Sequence, residues 1–154
     1  MTNKPYNFHC TALNVIKDGR AFGILITGAS GSGKSRLALQ ILHEKTMDWD
    51  AVHLIADDQV LLESVGGALI AKTPPKIAGK IELRGYGIIE NLSHASDVPV
   101  YLIAELAEIE AMERMPELQF NQLHGHEIRH INLPLRDYYH AQLILNYTIN
   151  EFFH

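Results

Sequence analysis

Short apolar runs divided by glycine, aspartate and lysine dominate the first two thirds of the chain. Phe8 to Ile16 reads as a strand that ends at Lys17-Asp18-Gly19-Arg20. Asp-Gly between two apolar runs predicts a tight hairpin. Ala21 to Thr27 is apolar on both faces and predicts a buried central strand. After a glycine-rich stretch, Lys34 to about Lys45 places Leu37, Leu39, Ile41 and Leu42 at helical spacing. Ala51 to Ala56 predicts a short buried strand running into two aspartates. Val60 to Ile70 reads as paired strands about Gly66-Gly67, and Val98 to Glu105 as a further core strand. Lys72 to Lys80 carries two prolines and reads as a loop. Ile81 to Glu90, with Gly85 and Gly87, supports no regular element. Glu108 to Met115 reads as a polar turn or short helix, Arg129 to Leu133 as a strand and Tyr138 to Phe153 as a terminal helix. Alternating strands and helices with interspersed hairpins predict an α/β domain on a mixed sheet.

Composition narrows the class. The 154 residues make a single domain spanning the chain the simplest expectation, and 47% hydrophobic with 20% charged residues is ordinary globular composition. A net charge of -5 argues against a nucleic-acid binder, which needs a phosphate-neutralising basic face. No apolar run reaches the roughly 18 residues of a membrane span. Met1 to Pro5 lacks the basic-then-apolar order of a signal peptide, and the lone Cys10 cannot close an internal disulfide. These features predict a soluble, cytoplasmic protein without nucleic-acid or membrane partners.

The chemistry is concentrated in two segments. Gly28-Ala29-Ser30-Gly31-Ser32-Gly33-Lys34-Ser35 fits the Walker A pattern G-x-x-x-x-G-K-[ST] at every position, between an apolar strand and an amphipathic helix. Glycines let successive N–H groups turn in around phosphate oxygens, and the helix N-terminus adds partial positive charge. Lys34 would reach the β- and γ-phosphates, and Ser35 would give Mg²⁺ a hydroxyl. The P-loop predicts nucleotide binding without fixing the reaction, since hydrolases, kinases and passive binders share it. Asp57 and Asp58 close the strand Ala51 to Ala56, at the kind of strand end where α/β sheets bind ligands. One could hold Mg²⁺ and the other accept a proton; a solvated turn is the alternative.

With Glu82-Leu83-Arg84-Gly85-Tyr86-Gly87-Ile88-Ile89 added to these two motifs, the chain resembles the HPr kinase/phosphorylase family from about His9 to Leu145. The likeness is to its catalytic domain, in a short form lacking the N-terminal domain. The resemblance implies a P-loop fold similar to that of PEP carboxykinase and ATP-dependent phosphorylation of a serine on HPr, the phosphocarrier of the sugar phosphotransferase system. It implies ATP in the Gly28–Ser35 loop, Asp58 as proton acceptor with Asp57 as its neighbour, and Glu82 as a Mg²⁺ ligand. It also implies functional roles for His9, Arg84 and Arg136, and assembly as a hexamer. Many members also run the reverse phosphorolysis. That reaction is associated with a second late arginine, and Tyr139 stands at its place here.

Two other functions stay open on the residues alone. A small-molecule kinase would usually carry an arginine-rich lid, whereas Arg20, Arg36, Arg84, Arg114, Arg129 and Arg136 are scattered. A non-catalytic ATP-sensing module would also fit the P-loop. Three further features read as structural. His124-Gly125-His126-Glu127-Ile128-Arg129-His130 matches no zinc spacing and reads as a polar loop. Cys10 reads as a buried, inert thiol. Lys72, Lys76 and Lys80 read as a solvated loop, with a lid as the alternative.

Overall fold

A computed structural model describes residues 4–44 and 48–153. The strands Thr11–Lys17 (β2) and Arg20–Thr27 (β3) form the expected hairpin, with Lys17 opposite Arg20. Asp18 and Gly19 both take positive φ, 51° and 74°, as a two-residue turn matching strand twist requires. The apolar β3 is central: it pairs antiparallel with β2 and parallel with Val98–Ala107 (β9). Ala51–Ala56 (β4) pairs antiparallel with the other side of β2.

Val60–Val65 (β5) and Ala68–Lys72 (β6) form the hairpin expected about Gly66-Gly67. β6 joins only the start of β9, through Ile70–Pro99 and Ala71–Val98. The rest of β9 pairs in parallel with His126–Pro134 (β11). The sheet is therefore mixed, and it curls where β9 exchanges one neighbour for another.

Three expectations give way to structure made by pairing. Phe8–Ile16 is not one strand. Tyr6–Phe8 (β1) pairs with β5, and β2 begins only at Thr11, so the chain crosses between sheet layers at His9-Cys10. Ile81–Glu90 is a small separate hairpin of Ile81–Leu83 (β7) and Gly87–Ile89 (β8). The histidine-rich stretch is no loop: His124-Gly125 is the turn joining an unanticipated strand, Gln119–Leu123 (β10), to β11. A short 3-10 turn at Pro75–Ile77 interrupts the expected loop at Lys72–Lys80, and another at Ile109–Ala111 is the short turn expected within Glu108–Met115.

Helix α1 runs from Lys34 to His43, so its last residue precedes the expected end; Lys45 itself lies outside the described residues. Helix α2 spans Tyr138–Glu151, and the Asp137 carboxylate caps its first turn by accepting from the His140 N–H.

Strand alternation sends side chains to two cores. Ile24, Ile26, Leu102 and Ala104 face Leu37 and Ile41 of α1 and Leu145 and Ile149 of α2. Leu25 and Ile103 face the other way, toward Leu62 of β5 and Ala71 of β6, which cover the second face. Each fully buried Leu or Ile contributes about 1.5–3 kcal/mol relative to exposure. Phe22 pins the end of α2, stacking on Tyr101 at 5.1 Å and meeting Phe152 edge-on at 4.9 Å. Gly23 is required by proximity, since a Cβ there would lie 2.6 Å from the Pro99 carbonyl oxygen of β9. Both cores close around the carboxyl ends of β3 and β4, where the candidate site lies.

Candidate functional site

The glycine loop leaves β3 at Thr27 and enters α1 at Lys34. Gly28, Gly31 and Gly33 carry φ of 144°, 79° and 99°, values an L side chain rarely adopts. A side chain at two of them would also displace a neighbour. A Cβ on Gly28 would lie 2.8 Å from Ser32 Oγ, and one on Gly33 2.7 Å from the Tyr138 hydroxyl. The loop closes with a Ser32 N–H to Ala29 carbonyl bond of 3.0 Å, and Gly33 caps α1 without a side chain. The amides of the first helical turn have no acceptor within the helix.

Lys34 is only 7% exposed and folds back over this loop. Its Nζ donates to the carbonyl oxygens of Gly28 at 2.9 Å and Ala29 at 3.1 Å. A buried ammonium is costly unless bonded, and here two neutral carbonyls hold it, with no paired anion among the described residues. Ser32 Oγ is buried within the same loop without a partner. Both features fit an anion seated in the loop: it would give the ammonium a charged partner and the hydroxyl an acceptor.

The two aspartates part company. Asp57 turns inward and accepts three bonds: from Ser35 Oγ at 2.5 Å, from Thr11 Oγ1 at 3.0 Å and from the Glu82 backbone N–H at 3.3 Å. One carboxylate thus ties β2, α1 and β7 to the end of β4. Asp58 takes the left-handed conformation, φ 70°, and its exposed carboxylate lies 3.3 Å from His9 Nδ1. His9 sits at the crossing between β1 and β2, which brings it beside Asp58.

Cys10, between His9 and Thr11, is fully buried. Burial pushes its thiol far above the ordinary range; the Lys34 ammonium pulls it down and the Asp58 carboxylate pushes it up. A buried, inert cysteine is what the sequence predicts.

The remaining expected residues sit on the rim. Glu82 reaches the aspartate pair through its backbone, and its side chain is exposed. Arg84 is exposed on the β7–β8 turn. Arg136, left-handed at φ 61°, lies before α2 and donates from Nη2 to Glu108 Oε2 at 2.7 Å. Tyr139 is exposed beside it on the first turn of α2. Lys72 is held by Asp97 at 2.7 Å and Glu63 at 3.3 Å, so it braces β5, β6 and the turn before β9. Of the histidine-rich stretch, His126 Nε2 bonds Ser64 Oγ at 2.7 Å and His130 Nε2 bonds Glu105 at 2.9 Å. Among the described residues, no three His, Cys, Asp or Glu side chains come together as a metal cage.

Sequence reading passed over Thr11 and Tyr138. Thr11 is the fully buried hydroxyl that orients Asp57. Its signal is a polar residue opening an apolar strand. Tyr138 lays its hydroxyl against Gly33 and its ring under the Arg36 guanidinium at 5.1 Å, so it braces the loop from α2.

Residues 4–153 match the family described as HPr Serine kinase C-terminal domain. The chain belongs to this family. Among curated proteins it is similar to the HPr kinase/phosphorylase of Clostridium tetani, 32% identical over 132 residues, covering 79% of this chain and 41% of that protein. It is also similar to the one from Clostridium beijerinckii, 40% identical over 76 residues, covering 49% of this chain and 23% of that protein. The chain thus spans less than half the length of these relatives. Among solved structures, the Hpr(Ser) kinase/phosphatase from Coxiella burnetii superposes with a TM-score of 0.74 at 23% identity. The match covers 95% of this chain and 98% of that one, so the mixed α/β fold is that of the family. No helix among the described residues is long and apolar enough to cross a membrane.

Proposed function

We propose that this domain is a kinase that transfers the γ-phosphoryl group of ATP to a serine hydroxyl of an HPr-type phosphocarrier protein. One observation carries the reading: the glycine loop, Lys34, Ser35 and Asp57 form one bonded unit, and Asp58 stands beside it, free of those bonds and facing His9. Membership of the HPr kinase family supplies the acceptor class.

The loop amides from Ala29 to Ser35 would cradle the phosphates, and Lys34 Nζ would exchange its two carbonyl partners for phosphate oxygens. Ser35, Asp57 and Glu82 are the residues that would hold Mg²⁺, a small hard cation that keeps several waters and needs few protein oxygens. Held there, the ion would supply neutralisation of the phosphate charge.

Asp58 accepts the proton of the serine hydroxyl as that oxygen bonds to the γ-phosphorus and the bond to the bridging oxygen of ADP breaks. His9, 3.3 Å away, orients the carboxylate and shares the proton. Arg84 and Arg136 would supply guanidinium groups to the transition-state charge once acceptor and nucleotide are seated. Forward transfer is the direction these residues serve, since Tyr139 brings no positive charge to the late loop. Such a kinase would work in the cytoplasm, where ATP and the carrier meet.

The test is transfer of labelled γ-phosphate to purified HPr. Wild type should label the carrier, while Lys34→Ala and Asp58→Asn should each abolish labelling. No transfer by wild type overturns the proposal.

A further inference from the structure

Glu105, near the carboxyl end of β9, and His130 of β11 form a pair that the proposed phosphoryl transfer does not use. Glu105 lies opposite Thr27, the residue that launches the glycine loop from β3. Its Oε1 accepts from His130 Nε2 at 2.9 Å. His130 is 8% exposed and its other ring nitrogen, Nδ1, is buried without a partner, so Glu105 alone fixes the ring's hydrogen bonding. Glu105 is 49% exposed and lines a neighbouring cleft.

That cleft has a volume of about 400 Å³. Phe8, Ile103 and Leu123 give it apolar walls, and Asn121 and Gln122 give it amides. It runs up to Gly28 and Ala29, whose carbonyls hold Lys34. Glu105 is the one charged residue lining it. A phosphate or carboxylate would therefore meet repulsion there, and a purely apolar group would strip water from the carboxylate without offering it a charge. A cation on an apolar stem suits both the walls and the charge.

We infer that the Glu105 cleft is a specificity pocket for a basic side chain, arginine or lysine, that the acceptor protein presents beside its phosphorylatable hydroxyl. The inference rests on the kinase reading for the identity of the acceptor, but the pocket's chemistry stands apart from it. His130 is the positioning residue, holding Oε1 of Glu105 at the wall of the cleft. The net charge of -5 favours a basic partner surface over an acidic one.

Amide chemical shifts of the ¹⁵N-labelled chain, titrated with N-acetyl-arginine amide, N-acetyl-lysine amide and N-acetyl-norleucine amide, test the pocket directly. A saturable shift at Gly28, Glu105 and Leu123 with arginine or lysine, absent with norleucine, is expected, and whichever cation binds identifies the side chain. Glu105→Gln should weaken that binding about tenfold, and its spectrum reports that the variant is folded. In the transfer assay, Glu105→Gln should raise the KM for HPr about tenfold while ATP affinity stays. No saturable shift with either cation, or an equal response to norleucine, overturns the pocket. Cation binding in a chain that fails to label HPr would overturn the kinase reading and leave the pocket standing.

Discussion

Asp57 is the joint on which the site depends, and its worth can be read from what its removal would orphan. Asp57→Ala strips the acceptor from three donors. Ser35 and Glu82 lie near solvent, and water replaces the carboxylate for them at small cost. The Thr11 hydroxyl is fully buried and finds no water. An orphaned buried donor costs about 1–3 kcal/mol, so Asp57→Ala should destabilise the domain by about 2 kcal/mol, nearly all of it through Thr11. Thr11→Val alone removes a bond to a charged group and should cost about 1.5–2 kcal/mol. Applied together, the two changes leave no orphan, so Thr11→Val should recover most of the lost stability on the Asp57→Ala background. The coupling energy is then about 3.5 kcal/mol in magnitude. Urea denaturation reads this as a midpoint drop of about 1 M for each single variant, and a midpoint back near wild type in the double. If Thr11→Val costs the same with and without Asp57, the reasoning fails, and Asp57 holds the site by other contacts.

Three further outcomes follow from the same geometry. Lys34→Met should weaken ATP binding about 10–150-fold by calorimetry, the worth of one lost charge-assisted bond; unchanged affinity would place the nucleotide elsewhere. Gly33→Ala should lower stability by about 1–3 kcal/mol, through its φ of 99° and a Cβ placed 2.7 Å from the Tyr138 hydroxyl. Tyr138→Phe should recover the part due to the clash and none due to the backbone, as thermal unfolding of the single and double variants would show. Cys10 should resist iodoacetamide in the native protein and react on unfolding. Because its folded pKa is raised, the unfolded chain loses that proton first, so stability should fall as pH rises past the ordinary value of 9.0. Cys10→Ala should flatten this fall by up to about 1.4 kcal/mol per pH unit in urea titrations.

The elements that the amino-acid pattern declares are those whose cause is local. The Asp18-Gly19 turn needs two positive φ values, and few dipeptides but Asp-Gly supply them. β3 shows as an apolar run because both its faces are buried, and β9 because one face is buried along its whole length with Ile103 buried on the other. β10 is invisible for the opposite reason. Gln119-Phe120-Asn121-Gln122 is exposed throughout and exists only by pairing with β11, so no burial alternation marks it. The β7–β8 hairpin is equally small and equally polar at its turn. The break at His9-Cys10 is hidden because residues on both sides of it serve strands, though in different layers.

The site divides along the same line. Gly28–Ser35 and Asp57-Asp58 are legible because phosphate chemistry fixes their local spacing. Thr11 with Asp57, Tyr138 with Gly33 and Glu105 with His130 are meetings of distant segments, and nothing within either segment announces its partner.

How two adjacent carboxylates come to face different chemistry is a backbone question. In an extended strand, neighbours point to opposite faces, which would send one aspartate into the core and the other out. β4 instead stops at Ala56, and Asp58 turns left-handed at φ 70°. Asp57 then keeps the donors of β2, α1 and β7, while Asp58 swings to His9 at the layer crossing. That conformation costs most side chains roughly 1–2 kcal/mol, and Asp and Asn are the non-glycine residues that visit it most readily. Asp58→Asn therefore changes the charge and leaves the turn in place, whereas Asp58→Ala would add strain to the loss of charge. If Asp58→Asn unfolds no earlier than wild type yet transfers no phosphate, the missing element is the proton acceptor and not the shape of the turn. If both variants lose stability alike, the carboxylate is serving the turn, and the proton must leave the serine by another route.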